Sequence, residues 1–502
     1  MSGTEWAARP DSRKHLLLTE TADVFRDVVG EGVRHVAARV GEAVRPTTGP
    51  DPDELRAEIA SIDLDRPLSD SAEALAELDD IYLRDAVYFH HPRYLAHLVP
   101  PVAIPALLGE AVLSALNSSL DTWDQSTGAM LIEQRLIRWI TRRAGFGESS
   151  SGIFTSGGTQ SNLQALMLAR DTALARRAPT PGERWRVLPK LRVLASEQAH
   201  FSVVKSARTL GLGDSAVVRV STDSRYRMRP DALEQAVFRC YAEGAVPIAV
   251  VATAGTTDFG AIDPLPALAE ACRRHQLWLH VDAAYGGGLL VSARRERLAG
   301  IENADSVAVD FHKSYFQPVS CAALLVADEA SLRHVAYYAD YLNPEDSGVP
   351  NLVDKSLQTS RRADAVKLWL TLRVLGAEGI GALFDEAVDL AHATWRLLRA
   401  DERFTVLAEP ELSTVVFRWV GGYGMTDQEC DAANQHAYSA LFDSGAAMIA
   451  KTKIDRRVCL KFTLLNPNTT LQDIAAVLDL VAGHCANHLV LADAEPLLPE
   501  VS

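Results

Sequence analysis

The sequence predicts an α/β fold built on a mostly parallel β-sheet. From about residue 150 onward, short apolar runs with strand propensity alternate with stretches of helical periodicity. The runs are almost continuously apolar, which is typical of parallel strands that helices cover on both faces. The predicted strands lie at 151–154 (SGIF), 191–196 (LRVLAS), 215–220 (SAVVRV), 248–253 (IAVVAT), 277–283 (LWLHVDA) and 306–311 (SVAVDF).

Helical patterns connect these runs and precede them. The stretches TQSNLQALMLARDTALARR and PLPALAEACRRHQ lie between predicted strands, as the crossover helices of a parallel sheet do. Residues 1–105 are predicted to form an N-terminal segment of helices and loops. One of its helices is expected to begin at Pro52, because a proline and acidic residues favour the first turn of a helix.

Two domains are predicted after this segment. Residues 106–375 would form the large domain around the sheet, and residues 376–502 a smaller α+β domain. The predicted elements of the smaller domain are a helix over 379–400, strands at 413–420 and 459–465, and a helix near 471–490.

Composition excludes several classes of protein. The 502 residues carry a net charge of −15, which disfavours a nucleic-acid surface and is otherwise explained by solubility. The N-terminus lacks the apolar run of a signal peptide, and no segment approaches the ~20 apolar residues of a membrane span. The six cysteines are scattered without metal-binding spacing, so we expect free thiols and a cytoplasmic protein with neither a membrane nor a nucleic-acid partner.

Ligands of parallel α/β sheets bind beyond the carboxyl ends of the strands, so the residues that follow each strand are the candidates. Gly157, Gly158 and Thr159 follow the first strand and open a helix, which is a plausible phosphate cradle. Taken alone, the same residues fit a capped helix after a glycine turn. His200 and Thr257 follow two further strands, where a satisfied polar group and a simple turn are the alternatives.

Two charged residues complete this set. Asp282 follows a strongly apolar strand, where a carboxylate is costly to bury unless a cation pairs with it. Metal binding is one option, but no second carboxylate or histidine lies at ligand spacing. Lys313 lies between two buried apolar runs, and a free ammonium group there costs several kcal/mol by order of magnitude.

One cofactor uses all three features. Pyridoxal phosphate needs a phosphate site, a carboxylate that keeps its pyridine nitrogen protonated, and a lysine that forms a Schiff base. A Schiff base also explains the lysine, because its ammonium charge need not remain buried. The strand ends therefore predict a pyridoxal phosphate enzyme that requires no metal.

Several motifs make the resemblance more specific. The stretches TSGGTQSN, HVDAAYGG and DFHKSYFQPVSCAAL, together with residues 341–362, resemble the group II pyridoxal-phosphate-dependent amino-acid decarboxylases. The stretches ALNSSLDTWDQS, DKSLQTSRRADAVKLWLTLR and LKFTLLNPNTT are most similar to the bacterial branch that acts on lysine, ornithine and 2,4-diaminobutyrate, some of whose members serve siderophore synthesis. The resemblance implies the fold of aspartate aminotransferase, fold type I, and a homodimer with shared active sites.

The resemblance also implies a role for each candidate residue. Lys313 would form the Schiff base, and Asp282 would pair with the pyridinium nitrogen. Tyr341 would donate a proton to the substrate carbon after carbon dioxide leaves. Residues expected to contact the cofactor are Gly157, Gly158, Thr159 and His312 at the phosphate, Ala284 and His200 on the two faces of the ring, and Thr257 near the substrate.

The resemblance favours decarboxylation of a diamino acid, with lysine as the first expectation. Asn343, Glu345 and Asp346 follow Tyr341 on a predicted mobile loop and would suit a distal ammonium group; Asp121 and Asp124 are further candidates. A solvated acidic loop is the alternative for these residues. Decarboxylation of an aromatic or other L-amino acid, aminotransfer, oxidative deamination to an aldehyde, and a cofactor-free binding protein are the competing functions.

Overall fold

The structure is a computed structural model that describes residues 10–340, 343–344, 348–421 and 424–494. Its helices are α1 (Ala22–Glu42), α2 (Pro52–Ala60), α3 (Ser71–Leu78), α4 (Ile104–Leu116), α5 (Trp123–Ala144), α6 (Gly158–Arg177), α7 (Pro181–Val187), α8 (Ser202–Thr209), α9 (Pro230–Ala242), α10 (Leu265–His275), α11 (Phe311–Ser314), α12 (Ala365–Arg399), α13 (Asp427–Asp443) and α14 (Leu471–Ala494). Within these described ranges, no helix is both long and apolar enough to cross a membrane.

The predicted start of α2 is confirmed in detail. Pro52 occupies the first turn, where its missing N–H group costs nothing. The Asp51 side chain caps the helix by accepting hydrogen bonds from the backbone N–H groups of Asp53 (2.8 Å) and Glu54 (3.1 Å).

A seven-stranded sheet forms the centre of the large domain. Its strands are β1 (Ser151–Thr155), β2 (Leu191–Ser196), β3 (Val217–Val220), β4 (Val246–Thr253), β5 (Trp278–Asp282), β6 (Ser306–Asp310) and β7 (Ala322–Val326). They lie in the order β1-β7-β6-β5-β4-β2-β3, and only β7 runs against its neighbours. The mostly parallel sheet is therefore confirmed, and each predicted strand is present with its ends shifted by at most two residues.

Both faces of the sheet are covered. Alternate residues of β4 show this, because Val250 and Ala252 join an apolar cluster with α9, α10 and α12. Ala249 and Val251 join a second cluster, with α6 and α8. All four side chains are fully buried. Two-sided burial explains why the strand reads as a continuous apolar run rather than an alternating one.

A smaller antiparallel sheet follows in the order β10-β11-β9-β8. Its strands are β8 (Phe404–Val406), β9 (Thr414–Trp419), β10 (Ala450–Ile454) and β11 (Arg457–Thr463). The sequence predicted β9, β11 and α14 but missed β8 and β10. β8 has only three residues, and β10 is an edge strand with two lysines, a residue type that is depleted in strands.

The helix predicted over 379–400 is the second part of α12. This helix begins earlier, at Ala365, and is interrupted at Gly376, whose backbone has φ 69° and ψ 171°. A residue with a side chain would be strained at that φ, so glycine suits the break. The break lies beside the predicted domain boundary at 375, which stays a prediction.

A buried ion pair supports the edge strand that leads into the candidate site. The side chains of Glu133 on α5 and Arg361 are 1% and 5% exposed and approach to 3.1 Å. Glu133 also accepts a hydrogen bond from the Phe154 N–H (3.0 Å), and Arg361 donates one to the Phe154 carbonyl (3.1 Å). The pair therefore satisfies the outward-facing backbone groups of β1, which would otherwise be buried without partners.

We predict that Glu133→Ala lowers the free energy of unfolding by about 3–5 kcal/mol, because Arg361 is left buried without a counter-charge. Glu133→Gln should cost less, since its amide oxygen still accepts from Phe154. Chemical denaturation of each variant tests this. Glu148→Ala is the control, because the Glu148 side chain is 90% exposed. Equal effects of the two alanine variants would contradict the prediction.

Candidate active site

A cavity of about 450 Å³ lies at the carboxyl edge of the central sheet, between the two sheets. The parallel strands β1, β2, β4, β5 and β6 all end there, which brings together residues far apart in sequence. The cavity is lined by Ala96, His97, Leu98, Ser156, Gly157, Gly158, Thr159, Gln160, Asn162, His200, Thr253, Gly255, Thr257, Asp282, Ala284, Tyr285, Asp310, His312, Lys313, Lys461 and Thr463.

Lys313 lies on the short helix α11, directly after β6. Its Nζ is 2.8 Å from Oδ2 of Asp310, and its side chain is 23% exposed, towards the cavity. Nδ1 of His312 lies 2.9 Å from the Cys321 carbonyl, which orients the ring so that Nε2 is 3.5 Å from the same Asp310 oxygen. Burial lowers the pKa of His312, so its ring is neutral at pH 7. The lysine charge is therefore balanced by Asp310.

Asp282 is the last residue of β5 and is 7% exposed. Its Oδ2 accepts a hydrogen bond from Nδ2 of Asn162 on α6 (2.8 Å), and its Oδ1 accepts one from the Ala284 N–H (3.1 Å). Both carboxylate oxygens thus accept hydrogen bonds. These contacts fix the position of the Asp282 carboxylate at the floor of the cavity.

His200 follows β2 and precedes α8. Its Nδ1 lies 2.8 Å from the Ser202 hydroxyl and also accepts a hydrogen bond from the Ser202 N–H (3.3 Å). Burial lowers the pKa of His200, although the nearby Asp282 opposes this shift. The ring is therefore neutral near pH 7 and is held by the first turn of the following helix.

The predicted phosphate cradle lies opposite Asp310. Gly158 begins α6, whose first backbone N–H groups have no partner within the helix. A Cβ atom on Gly158 would lie 3.0 Å from Cβ of Ala284 and 3.3 Å from an Asp310 oxygen. Any side chain there would fill the space between the helix terminus and Ala284. Gly157 and Thr159 line the same wall of the cavity.

The smaller domain contributes a lysine, Lys461, to the lining of the cavity. Nζ of Lys461 on β11 lies 2.9 Å from Oδ1 of Asp258 and donates to the Thr257 carbonyl (3.2 Å). The Lys461 side chain is only 8% exposed, so its charge is largely neutralised by Asp258. This contact joins the smaller sheet to the turn after β4.

The structure brings most of the predicted site residues to this cavity. Those lining it are Gly157, Gly158, Thr159, His200, Thr257, Asp282, Ala284, His312 and Lys313. Tyr341, Glu345 and Asp346 lie outside the described residues. Asn343 is buried, and its side chain donates to the Tyr337 carbonyl (2.8 Å) and accepts from the Ala339 N–H (3.2 Å).

The two acidic residues of the LDTWDQS stretch do not line the cavity. Asp121 accepts hydrogen bonds from the hydroxyl groups of Ser119 (2.6 Å) and Ser360 (3.3 Å). Asp124 accepts one from the Thr122 hydroxyl (2.6 Å). Both carboxylates are engaged in local contacts within this subunit.

Among the lining residues that were not assigned from the sequence, three contact a predicted site residue directly through a side-chain hydrogen bond or ion pair: Asn162, Asp310 and Lys461. Asn162 and Asp310 lie in the stretches TSGGTQSN and DFHK, which carry the family resemblance, but neither residue was given a role of its own. Asp310 is the next-to-last residue of a predicted strand, as Asp282 is, so the criterion that identified Asp282 would have found it too. Lys461 lies in the smaller domain, and no pattern places it against Thr257.

The residues present fit pyridoxal phosphate. A lysine, a fixed carboxylate and a helix N-terminus with a glycine cradle face one cavity, and each matches one part of that cofactor. Among the described residues, no group of three or more histidine, cysteine, aspartate or glutamate side chains is placed to hold a metal ion.

Comparisons with known proteins agree with this geometry. Residues 62–420 match the family model described as the pyridoxal-dependent decarboxylase conserved domain. The chain is 43% identical to the L-2,4-diaminobutyrate decarboxylase of Rhizobium meliloti over 95% of each chain, and 39% identical to that of Acinetobacter baumannii over 93% of this chain and 94% of the relative.

A solved structure shares the fold. The glutamate decarboxylase domain of the Vibrio parahaemolyticus diaminobutyrate-pyruvate transaminase and L-2,4-diaminobutyrate decarboxylase superposes with a TM-score of 0.86 and 32% identity, covering 95% of this chain and 100% of that one. The family and the fold-type I architecture are thereby confirmed. The chain belongs to the pyridoxal-dependent decarboxylases, enzymes that remove the carboxyl group of an amino acid with the help of pyridoxal phosphate.

Proposed function

We propose that this decarboxylase acts on a diamino acid, and specifically on L-2,4-diaminobutyrate. The observation that carries the proposal is the similarity to two decarboxylases named for that substrate, which extends over 93–95% of this chain. The sequence motifs pointed to the same branch but favoured lysine. We place 2,4-diaminobutyrate first because both named relatives carry that name.

The charges in the cavity support a substrate that is not acidic. A substrate with a distal carboxylate needs a free cation in the site. The lysines that line the cavity within the described residues are Lys313 and Lys461, and each is already paired, with Asp310 and Asp258 respectively. No arginine lines the described part of the cavity.

Each residue has a role in this proposal. Lys313 would bind the cofactor covalently, Asp282 would pair with its ring nitrogen, and the cradle at Gly157, Gly158 and Thr159 would hold its phosphate together with His312. Ala284 and His200 would pack on the two faces of the ring, and Thr257 would lie beside the substrate. When bound, pyridoxal phosphate supplies a ring that delocalises the negative charge of the breaking bond between Cα and the carboxylate. The protein provides the orientation of that bond and excludes water.

We propose Tyr341 as the proton donor to Cα after carbon dioxide leaves. This assignment rests on the sequence resemblance. When a residue donates a proton to Cα, the product is the amine. Without that proton, reaction with dioxygen and water would give an aldehyde, ammonia and hydrogen peroxide.

We further propose a homodimer that buries the N-terminal helices. No residue of α1 is buried, although the helix carries a row of large apolar side chains. Those exposed on α1 are Val24, Phe25, Val28, Val29, Val33, Val36 and Val40, and those on α4 are Ile104, Leu107, Leu108, Val112 and Leu116. Apolar surface of this extent is typical of a protein interface, and a second copy of the chain suits it because the family resemblance implies a dimer.

The interface predicts a change in mass. The double variant Val28→Glu/Val36→Glu places two charges on the apolar row of α1 and should shift the protein from dimer to monomer in light scattering after size exclusion. Val490→Glu is the control, because Val490 is a 68% exposed valine on a different helix, α14. A double variant that remains fully dimeric would refute the interface.

The substrate proposal is tested by an amine-product screen. We expect kcat/KM for L-2,4-diaminobutyrate to exceed that for lysine or ornithine by at least about tenfold, since one or two methylene groups are worth about 1–3 kcal/mol in a fitted site. Glutamate and tyrosine should be decarboxylated more slowly still. Faster turnover of glutamate, tyrosine or lysine would reject 2,4-diaminobutyrate, and aldehyde as the main product would reject simple decarboxylation.

The lysine assignment predicts that Lys313→Ala and Lys313→Arg both lose turnover by about 10³-fold or more, the scale seen when a covalent catalytic group is removed. Arginine keeps the charge beside Asp310, so it should retain stability that the alanine variant loses. Borohydride reduction followed by peptide mass analysis should find the cofactor attached to Lys313 in the wild type, and no attached cofactor in either Lys313 variant. Lys190→Ala, at an exposed lysine, is the control. A cofactor adduct on another lysine would contradict the assignment.

A further inference from the structure

A chain of hydrogen-bonded polar side chains lies behind the floor of the cavity. It connects the partly buried Trp278 with the fully buried Ser306, His280 and Asn162, and it reaches both Asp282 and His200. His280 and Ser306 are 0% exposed, and Asn162 is 1% exposed. Buried polar groups are costly unless they are hydrogen-bonded, so the donors and acceptors of this chain must match at every link.

The first link leaves the Ser306 hydroxyl hydrogen free for the second, and the orientation of the Asn162 amide fixes the direction of the whole chain. The indole Nε1 of Trp278 can only donate, and it donates to the Ser306 hydroxyl oxygen (2.8 Å). The Ser306 hydroxyl hydrogen is then directed to Nδ1 of His280 (2.9 Å). His280 is neutral, because burial lowers its pKa to about 4. Its proton must therefore be on Nε2, which donates to Oδ1 of Asn162 (2.8 Å).

The amide of Asn162 divides the chain into two branches. Its Nδ2 carries two hydrogens, one directed to Asp282 Oδ2 (2.8 Å) and one to the Ser202 hydroxyl (2.9 Å). The opposite orientation of the amide would place two acceptors, Asn162 Oδ1 and the Asp282 carboxylate, against each other. The contact with Asp282 and the contact with His280 thus require the same orientation.

The second branch sets the protonation of His200. Ser202 Oγ accepts from Asn162, so its own hydrogen is available for Nδ1 of His200 (2.8 Å). The Ser202 backbone N–H points to the same nitrogen (3.3 Å). With two donors directed at it, Nδ1 carries no proton, and the neutral ring carries its proton on Nε2. Nε2 makes no hydrogen bond with any residue in the described ranges and is left for the cavity.

We propose that Asn162 is a positioning residue that holds the Asp282 carboxylate and, through Ser202, fixes His200 as the tautomer protonated on Nε2. His200 then offers a hydrogen-bond donor to an anionic group of the substrate or cofactor in the cavity. The proposal deepens the proposed function, because it rests on the roles given there to Asp282 and His200.

The two branches predict different effects. Asn162→Leu keeps the branched shape of the side chain and removes the donors to both branches, so the dissociation constant for pyridoxal phosphate should rise about 10- to 100-fold and kcat should fall by a similar factor. Ser202→Ala removes only the branch to His200; kcat should fall, while cofactor affinity stays within about twofold. Ser206→Ala is the matched control, because Ser206 is a buried serine one turn further along α8.

The tautomer itself is measured by nitrogen NMR on the holoenzyme labelled with ¹⁵N-histidine, with the His200 signals assigned by His200→Gln. We expect Nδ1 in the unprotonated range and Nε2 in the protonated range, and a mixture of tautomers in Ser202→Ala and Asn162→Leu. The same spectrum should be unchanged in Ser206→Ala.

Each outcome decides the proposal. A wild-type His200 protonated on Nδ1, or an unchanged tautomer and cofactor affinity in both variants, overturns it. If Asn162→Leu does not fold, the Ser202→Ala spectrum alone decides. The NMR and affinity measurements do not depend on which amino acid is decarboxylated, so a failed substrate screen leaves this test intact.

Discussion

A parallel sheet that is buried on both faces has only its ends available for chemistry. In this protein the carboxyl ends of five strands meet at one cavity, and the polar residues that follow them lie at the boundary of a dense apolar core. Their charges therefore need partners within the protein. Lys313 pairs with Asp310, and Lys461 pairs with Asp258. The site contains several such pairs, and the charge that each pair presents to the cavity depends on how many hydrogen bonds its carboxylate accepts.

The two carboxylates of the site differ in this respect. Both oxygens of Asp282 accept hydrogen bonds, from Asn162 and from the Ala284 backbone. Asp310 is 2% exposed, yet its Oδ1 has no hydrogen-bond partner among the described residues. In the proposed function, the fully satisfied carboxylate of Asp282 is the one that would pair with the ring nitrogen of the cofactor. Asp310 instead contacts Nζ of Lys313 through its other oxygen, Oδ2 (2.8 Å).

Much of this arrangement could be predicted from the sequence, for a physical reason. Two-sided burial makes each strand of the large sheet a continuous apolar run, so the polar residue at its end stands out, as Asp282 and Lys313 do. The contact between Asn162 and Asp282 could not be predicted, because it joins residues 120 positions apart and depends on how α6 is rotated against β5. The pairing of Lys461 with Asp258 depends in the same way on the docking of the smaller sheet. Strand β10 was not predicted, because its polar centre resembles a loop.

The choice of side chain at position 162 follows from the demands of its neighbours. His280 presents a donor, whereas Asp282 and Ser202 each require one. The position therefore needs one acceptor and two donors on a short stem, and among the side chains of this size only asparagine supplies them. Aspartate at 162 would supply no donor and would set a second negative charge against Asp282, while serine would supply a single donor. A buried polar network is stable only when every link is satisfied, so the identity of this one amide constrains the Asp282 carboxylate and the neutral His280 at the same time.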